Sequence, residues 1–225
     1  MFYRSLAHWL VEHKLERKIL RKGGWFEPLH GDSILKGLID EIVQNCDISA
    51  FVETGTFVGD TTKYIALRYP TVKVLTCEIN QRWFKLAKRF CKGISNIELF
   101  CGESPKFLDN LHDFLSKECP IFWLDAHWGD YWPLVDETKA ISSLPNYVII
   151  IDDFEVPDKP YFHYDTYRGV KNNLNLHTSV LGGRCYVPEY SPDSTCRGPV
   201  GYGVFFKGKE YSALRSIAKL KEVLA

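Results

Sequence analysis

The 225-residue sequence lacks several features that mark particular classes of protein. Its seven cysteines form no C-x-x-C pair, so neither a disulfide framework nor a zinc knuckle is expected. Basic and acidic residues number 28 each, so no net charge attracts nucleic acid. No apolar run is long enough to span a bilayer, and the N-terminus has no secretory signal pattern. These absences predict a globular protein of the reducing cytoplasm, for which nucleic acid is not the expected partner.

The G-x-G-x-x-G turn of dinucleotide-binding proteins is also absent, which disfavours a nicotinamide dehydrogenase. In its place, residues 51–59 read FVETGTFVG. An apolar strand ends in Glu53, breaks at Gly55 and is followed by a helix after Gly59. Glycines at such a turn bring backbone N–H groups close to a ligand. A carboxylate at the strand tip would repel a phosphate, so the pattern favours a ligand with positive charge, such as an amino acid or a sulfonium.

Four further apolar runs end in polar or acidic residues, and stretches with helical spacing separate them. The runs are residues 72–78, 97–101, 121–124 and 147–151, and they end in Glu78, Gly102-Glu103-Ser104, Asp125 and Asp152-Asp153. The predicted helices between the strands cover residues 59–69, 80–92, 104–117 and 133–143. This alternation predicts an α/β fold with a doubly wound, mainly parallel sheet. Ligands of such sheets bind outside the carboxyl ends of the strands, so we expect these ends to meet at one crevice.

We expect a single Rossmann-like domain with strand order 3-2-1-4-5. Its segments are a helical extension at 1–45, a core at 46–153, an insert at 154–199 and a C-terminal part at 200–225. The extension should hold one helix over 4–22 and another that Asp32 or Ser33 caps and that ends near Asn45. The insert is rich in Pro, Gly, Tyr, Asp and Ser, and its length favours a lid or substrate wall. The last part should add an antiparallel edge strand at 200–206 and a closing helix at 211–224.

The E-x-G-x-x-x-G element resembles the first motif of class I S-adenosylmethionine-dependent methyltransferases. Glu78, 19 positions after Gly59, and the strand–helix alternation extend this resemblance over roughly residues 48–207. The resemblance implies S-adenosylmethionine as cofactor. Glu53 would interact with its cationic amino-acid end, and Glu78 would accept hydrogen bonds from the ribose hydroxyls.

The resemblance implies further cofactor contacts on both sides of these two carboxylates. Gly55, Thr56 and Gly59 would let the cofactor approach the backbone of the first turn. Glu103 and Ser104 are weaker candidates beside the adenine, and Ser104 could equally be the N-cap of the following helix. Asp125, at the fourth strand end, would border the same pocket.

Three carboxylates, Asp125, Asp152 and Asp153, follow two strands that we expect to be neighbours. Their repulsion requires a cation, a basic side chain or a shared proton, and oxygen ligands select a hard ion such as Mg²⁺. Here the sequence is similar to the macrocin O-methyltransferase-like group, which methylates sugar hydroxyls. That group has an aspartate after its fourth strand and an Asp-Asp pair after its fifth, so the similarity implies a metal at these three residues. The alternative is an aspartate pair bonded to backbone N–H groups and to Arg168 or Lys171.

The related group has a second acidic residue, its proposed base, at the position of His127. A histidine with a pKa near 6.5 can act as general base at neutral pH, so His127 is the candidate base beside Asp125. It could instead bind metal or substrate, or be a structural histidine. The aromatic residues that follow, Trp128, Tyr131 and Trp132, could stack an acceptor or form a hydrophobic hinge. A polar and aromatic patch at 163–168 is a further candidate for acceptor contacts.

The sequence therefore predicts an enzyme that transfers a methyl group from S-adenosylmethionine to a hydroxyl oxygen of a small molecule or glycosyl group, with Mg²⁺ as a candidate cofactor. One alternative is a regulatory or degenerate module that binds the cofactor without methyl transfer. Others are an N-methyltransferase without metal and a different group transfer on the same scaffold, because fold does not fix function. The N-terminal extension could serve as a lid, as the surface of a homodimer, or as a cover for one sheet edge.

Overall fold

The computed structural model describes residues 27–126, 131–182, 184–190, 200–208, 214 and 219–223. The predicted helix over 4–22 lies outside these residues, and so do His127 and Trp128. Among the described residues, no helix combines the length and the apolar character that crossing a membrane requires.

The core alternates strands and helices, as predicted. The strands are β1 (Ala50–Thr54), β2 (Lys73–Glu78), β3 (Ile97–Cys101), β4 (Pro120–Leu124) and β5 (Tyr147–Ile151). The helices are α1 (Ser33–Asn45), α2 (Asp60–Arg68), α3 (Gln81–Phe90), α4 (Ser104–Leu115) and α5 (Leu134–Ser142). Asp32 caps α1, because its Oδ1 accepts hydrogen bonds from the backbone N–H groups of Ile34 and Leu35 at 2.8 and 3.1 Å. The predicted second helix of the extension is therefore confirmed with its cap.

The five core strands are parallel and lie in the order β3-β2-β1-β4-β5, which confirms the predicted order. A later strand, β9 (Gly203–Lys207), pairs antiparallel with β5. The antiparallel direction of β9 is as predicted, but the expected position of β9 at the edge of the sheet is wrong. The strand β8 (Cys185–Pro188) pairs antiparallel with β9 and separates it from the edge. The apolar run of β8 is short and lies within the Pro- and Gly-rich insert, so its local sequence gave a weak strand signal.

The outermost strand is β10 (Leu220–Val223), which pairs antiparallel with β8. The expected closing helix at 211–224 is therefore wrong over the described residues 219–223. Lys, Leu and Glu favour a helix by intrinsic propensity, but pairing with an open sheet edge overrides that weak preference. The remaining elements of the insert are a two-stranded hairpin, β6 (Thr166–Tyr167) with β7 (Val170–Lys171), and α6 (Leu174–Leu181).

Apolar layers cover both faces of the sheet, and successive strand residues serve opposite layers. Trp123 and Ile150 pack in the layer formed with α1 and α2, whereas Leu124 and Ile151 pack in the layer formed with α4, α5 and α6. The helix α1 thus covers one face of the sheet. By the same alternation, Asp152 continues the α1/α2 face of its strand.

Candidate functional site

The carboxyl ends of the parallel strands adjoin one another at one edge of the sheet. The backbone N–H of Asp125 donates to the carbonyl of Thr54 at 3.2 Å, and that of Asp152 donates to Leu124 at 3.1 Å. On the other side of β1, the N–H of Gly55 donates to the carbonyl of Cys77 at 3.0 Å. The strand ends that the sequence marks with acidic residues therefore border one edge, where ligands of open α/β sheets bind.

The two glycines of the first motif adopt left-handed backbone conformations, with φ of 86° at Gly55 and 88° at Gly59. A Cβ atom on Gly55 would lie 2.6 Å from the carbonyl oxygen of Asp125, so the turn after β1 needs glycine to pass the end of β4. A Cβ on Gly59 would meet Cys91 Sγ at 3.1 Å. Close packing within the fold thus already requires small residues at this turn.

Replacing Gly55 by alanine should lower the free energy of unfolding by about 1–3 kcal/mol, the cost of holding a side chain in a left-handed conformation. The contact with the Asp125 carbonyl can only increase this loss. Gly37→Ala is the matched control, because a Cβ there has nothing within 4 Å and lies in α1. The control should stabilise the protein by about 0.5–1 kcal/mol. Urea unfolding measures both variants, and equal stabilities would contradict the role of Gly55.

Glu53 is buried below the end of β1, with 2% of its surface exposed. Its Oε2 accepts hydrogen bonds from Thr62 Oγ1 at 2.5 Å and from Thr76 Oγ1 at 2.6 Å. Burial raises the pKa of Glu53 to about 7, against the lowering effect of these two hydrogen bonds, and the nearby negative charges of Asp125 and Glu78 add to the rise. The carboxyl group is thus held by threonines and has little direct access to a ligand.

Glu78 lies at the end of β2 with its carboxylate fixed by backbone donors. Its Oε2 accepts from the N–H of Phe57 and its Oε1 from the N–H of Asn80, both at 2.7 Å. Burial raises the pKa of Glu78, and these hydrogen bonds partly oppose the rise. Each carboxylate oxygen can accept a further hydrogen bond, so the group is oriented and still able to bind hydroxyl groups.

Glu103 and Ser104 lie at the start of α4. Glu103 occupies the N-cap position and pairs with Lys106 at 2.7 Å on the surface. Ser104 is the first residue of the helix itself, so the interpretation of Ser104 as the N-cap is wrong. Thr56 is buried and its hydroxyl lies 2.5 Å from that of Thr76.

The two aspartates on neighbouring strand ends share a partner that the sequence did not indicate. His30 Nε2 lies 3.0 Å from Asp152 Oδ2 and 3.2 Å from Asp125 Oδ2. Burial of the ring lowers the pKa of His30, but the hydrogen bonds to Asp125 and Asp152 outweigh this effect and raise it to about 10. The protonated ring therefore supplies a positive charge between the two carboxylates.

Asp153 turns away from this group. Its backbone is left-handed, with φ of 48°, and its Oδ1 lies 3.7 Å from His163 Nδ1. Carboxylate oxygens of Asp153 and Asp165 and a ring nitrogen of His163 lie within 4.8 Å of one another. The three aspartates of the predicted metal site thus divide between two clusters, because the chain leaves its extended conformation at Asp153. Lys171, one of the alternative partners of the aspartates, pairs instead with Glu155 at 2.6 Å.

The segment that carries His30 is strained. Leu29, His30 and Gly31 all have positive φ angles, of 51°, 57° and 74°. Leu29 is fully buried and its backbone N–H donates to Thr61 Oγ1 at 3.0 Å. Packing and this hydrogen bond hold a conformation that non-glycine residues rarely adopt. No local motif marks His30, and its position depends on contacts with residues about a hundred positions away in the sequence.

A buried network supports the segment that follows β5. Asn172 Nδ2 donates to the carbonyls of Asp152 and Asp153 at 2.8 and 3.1 Å. Asn172 Oδ1 is therefore the acceptor for His177 Nε2, at 2.9 Å. His177 is fully buried, stacks against Phe154, and has no hydrogen-bond partner for Nδ1 within the described chain segments. Burial lowers the pKa of His177 to about 4, so the ring is neutral at pH 7.

Of the aromatic residues predicted to contact an acceptor, Trp132 lies next to this network. Trp132 packs against Tyr167 with ring centroids 5.9 Å apart, and Tyr131 is 45% exposed. A small cavity lies between Trp132, Asp152, Asp165 and Asn172. Trp132, which packs against Tyr167 of the insert, thus lies beside the acidic strand end of β5.

Several solved structures share this architecture at low sequence identity. A putative O-methyltransferase from Klebsiella pneumoniae superposes with a TM-score of 0.53 at 19% identity, over 86% of this chain and 89% of that chain. The chain has the Rossmann-like fold of class I methyltransferases. Spermidine synthase from Thermotoga maritima gives a TM-score of 0.53 at 13% identity, over 84% of this chain and 67% of the synthase.

The methyltransferase fold of this chain also superposes on a structure of a mutant of MtNAS in complex with S-adenosylmethionine. The TM-score is 0.52 at 13% identity, over 91% of this chain and 68% of MtNAS. Aligned with another structure of that mutant, the chain covers 60% of the MtNAS length. No protein-family model and no curated protein matches the sequence.

Proposed function

We propose that the protein is an enzyme that transfers a methyl group from S-adenosylmethionine to a hydroxyl oxygen of a small molecule or glycosyl group. The observation that carries this proposal is the carboxylate of Glu78, which backbone donors orient at the end of β2 in a methyltransferase fold. A ribose diol needs such a fixed acceptor beside the turn after β1. The acidic strand ends of β4 and β5 lie along the same edge, where an acceptor would approach the methyl group.

Glu53 has a different role in this proposal from Glu78. Since Glu53 is buried and bonded to Thr62 and Thr76, it acts on the cationic end of the cofactor through its charge and through the threonines. The side chain of Asp125 is 17% exposed. Asp125 lies close enough to Glu53 for its negative charge to raise the pKa of Glu53. Binding of a sulfonium cation would favour the ionised form of Glu53.

The residues at the ends of β4 and β5 fit a divalent cation. The separations of His30 Nε2 from the two carboxylate oxygens, 3.0 and 3.2 Å, match neighbouring ligands of an octahedral ion with bonds of about 2.1 Å, which lie about 3.0 Å apart. Bound there, a divalent ion would act as a Lewis acid and lower the pKa of the acceptor hydroxyl. The chain itself would orient the acceptor through the two aspartates and Trp132. His127, which lies outside the described residues, stays the candidate general base.

Replacing Glu78 by alanine should weaken the binding of adenosylhomocysteine by about 1.5–3 kcal/mol, the scale of hydrogen bonds to a charged group. Isothermal titration calorimetry on the folded variant measures this loss directly. Glu98→Ala is the matched control, since Glu98 lies on β3 and pairs at the surface with Lys73. The control should bind like the wild type. Unchanged affinity in a folded Glu78 variant would remove this residue from the ribose site.

The nucleoside that is released from S-adenosylmethionine shows which group the protein transfers. Incubation with S-adenosylmethionine and a panel of hydroxylated acceptors should release adenosylhomocysteine, which mass spectrometry identifies together with an acceptor heavier by one methylene unit. Release of a different nucleoside would indicate another group transfer on this fold. Binding of the cofactor without any turnover across the panel would favour the regulatory module.

A further inference from the structure

We infer that His30 is a protein ligand of a divalent cation that it shares with Asp125 and Asp152, and that its imidazole makes the site prefer a transition-metal ion such as Mn²⁺ to Mg²⁺. The inference rests on the proposed function, because it concerns the same edge of the sheet. It goes beyond the oxygen-only set that the sequence predicts, since it replaces Asp153 by a residue from the segment before α1.

The first step is the geometry of the donor atoms. His30 Nε2 is 3.0 Å from Asp152 Oδ2 and 3.2 Å from Asp125 Oδ2, and the three atoms lie within 4.8 Å of one another. Once His30 Nε2 has released to solvent the proton that it carries in the metal-free protein, three donors in such a group can occupy one side of a six-coordinate ion. The remaining positions then face the crevice, where acceptor oxygens or water can bind.

The second step is access and burial. The side chain of Asp152 is 3% exposed, whereas those of His30 and Asp125 are each 17% exposed. The group therefore has protein beneath it and an opening above it. Asn172 holds the backbone carbonyl of Asp152 at 2.8 Å, so the deepest of the three ligands is fixed in place.

The third step is the backbone conformation that positions His30 and the contacts that stabilise it. Leu29 and His30 both adopt left-handed conformations, and the burial of Leu29 and its bond to Thr61 hold them there. The hydroxyl of Tyr202 donates to Asp32 Oδ2 at 3.0 Å and ties Asp32, two residues after His30, to the segment that leads into β9. The ring of His30 packs 6.0 Å from that of Trp123, on the α1/α2 face. These contacts aim the imidazole at the two aspartates.

The fourth step is the chemistry of the set. Two carboxylates and one imidazole differ from an all-oxygen set, because imidazole nitrogen binds first-row transition-metal ions, of which Mn²⁺ is bound least tightly, better than it binds Mg²⁺. The second cluster, formed by Asp153, His163 and Asp165, contains donors of the same types, but the side chain of His163 there is 71% exposed. That cluster supplies a control within the same chain.

The test is calorimetric titration of protein freed of metal by chelation and dialysis, with MnCl₂ and MgCl₂ in separate experiments. The wild type should bind one Mn²⁺ at least about tenfold more tightly than Mg²⁺. His30→Gln should lose about 10–100-fold in Mn²⁺ affinity while its Mg²⁺ affinity changes less than about threefold. His163→Gln should bind both ions as the wild type does.

Pulsed electron paramagnetic resonance of the Mn²⁺ complex gives a readout that a merely structural role of His30 would not move. The wild type and His163→Gln should show coupling of the metal to a ¹⁴N nucleus, and His30→Gln should not. Coupling that disappears in His163→Gln instead would overturn the inference and place the ion at the second cluster. Absence of Mn²⁺ binding, or equal affinity in His30→Gln, would overturn it as well.

The inference and the proposed function can fail separately. Protein that binds adenosylhomocysteine but no Mn²⁺ would overturn the metal ligand and leave methyl transfer standing. Protein that binds Mn²⁺ through His30 but neither S-adenosylmethionine nor adenosylhomocysteine would overturn the proposed function and leave the metal site.

Discussion

Lowering the pH from 7.5 to 4 should cost the protein about 3 kcal/mol of stability through His177. The unfolded chain takes up a proton on this residue near the ordinary pKa of 6.5, whereas burial lowers the pKa in the folded protein to about 4. Between these values the unfolded state binds more protons, so the free energy of unfolding falls as the pH falls. The stabilising contribution of His177 is complete above pH 6.5 and is lost towards pH 4.

The variant His177→Gln isolates this effect, because glutamine can still donate to Asn172 Oδ1 and does not titrate. The variant will differ from the wild type at pH 7.5 by a constant packing cost, so the quantity to compare is the change with pH. Urea unfolding at pH 7.5, 6, 5 and 4 should show the wild type losing about 3 kcal/mol more than the variant. Parallel losses in the two proteins would show that His177 titrates normally in the folded state.

Glu53 should have the opposite dependence on pH. Its pKa rises from 4.5 to about 7 on folding, mainly because burial disfavours the charged form. The folded state therefore binds more protons between these values, so the stabilising contribution is complete below pH 4.5 and is lost as the pH rises through 7. This loss amounts to about 3 kcal/mol.

The variant Glu53→Gln retains an oxygen that can accept from Thr62 and Thr76 but carries no ionisable group. Relative to the wild type, it should gain about 3 kcal/mol between pH 4.5 and 8. Glu98→Gln, on the surface of β3, should show no such gain. If the difference between Glu53→Gln and the wild type stays constant with pH, the buried carboxyl group is not the source of the effect.

These two buried groups act in overlapping pH windows with opposite signs. As the pH rises from 4.5 to 6.5, the wild type gains stability through His177 and loses stability through Glu53. The two changes offset each other, so neither pH dependence is visible alone. The stability of His177→Gln therefore changes with pH through Glu53, and that of Glu53→Gln changes with pH through His177. Measuring both variants over the same pH series therefore tests the two environments independently.

Much of the core could be predicted from the sequence. The strands, the helices between them and the cap of α1 by Asp32 follow from local patterns, because apolar periodicity and capping residues act over a few positions. The order of the strands follows from the doubly wound fold that their alternation with helices indicates. The separation of Asp152 from Asp153 was not predicted, because it depends on the left-handed backbone conformation of Asp153 after the end of β5.

Other features depend on partners far away in the chain. β10 is a strand because β8 offers it a free edge, and the helical propensity of its residues is too weak to compete. His30 contacts Asp152 across 122 positions in sequence, and no local pattern around His30 points to that contact. The same holds for His177, which Asn172 links to the carbonyls after β5.

The sequence by itself determined which chemical groups stand at the ends of the parallel strands, because strand length and alternation are local properties. Only the tertiary structure decided which of those groups share a site and in which state of charge. Burial moves the pKa values of Glu53 and His177 in opposite directions, and the segment before α1 brings His30 to two of the three aspartates. Both effects come from packing between distant segments, which fixes the local dielectric environment and the distances between charges.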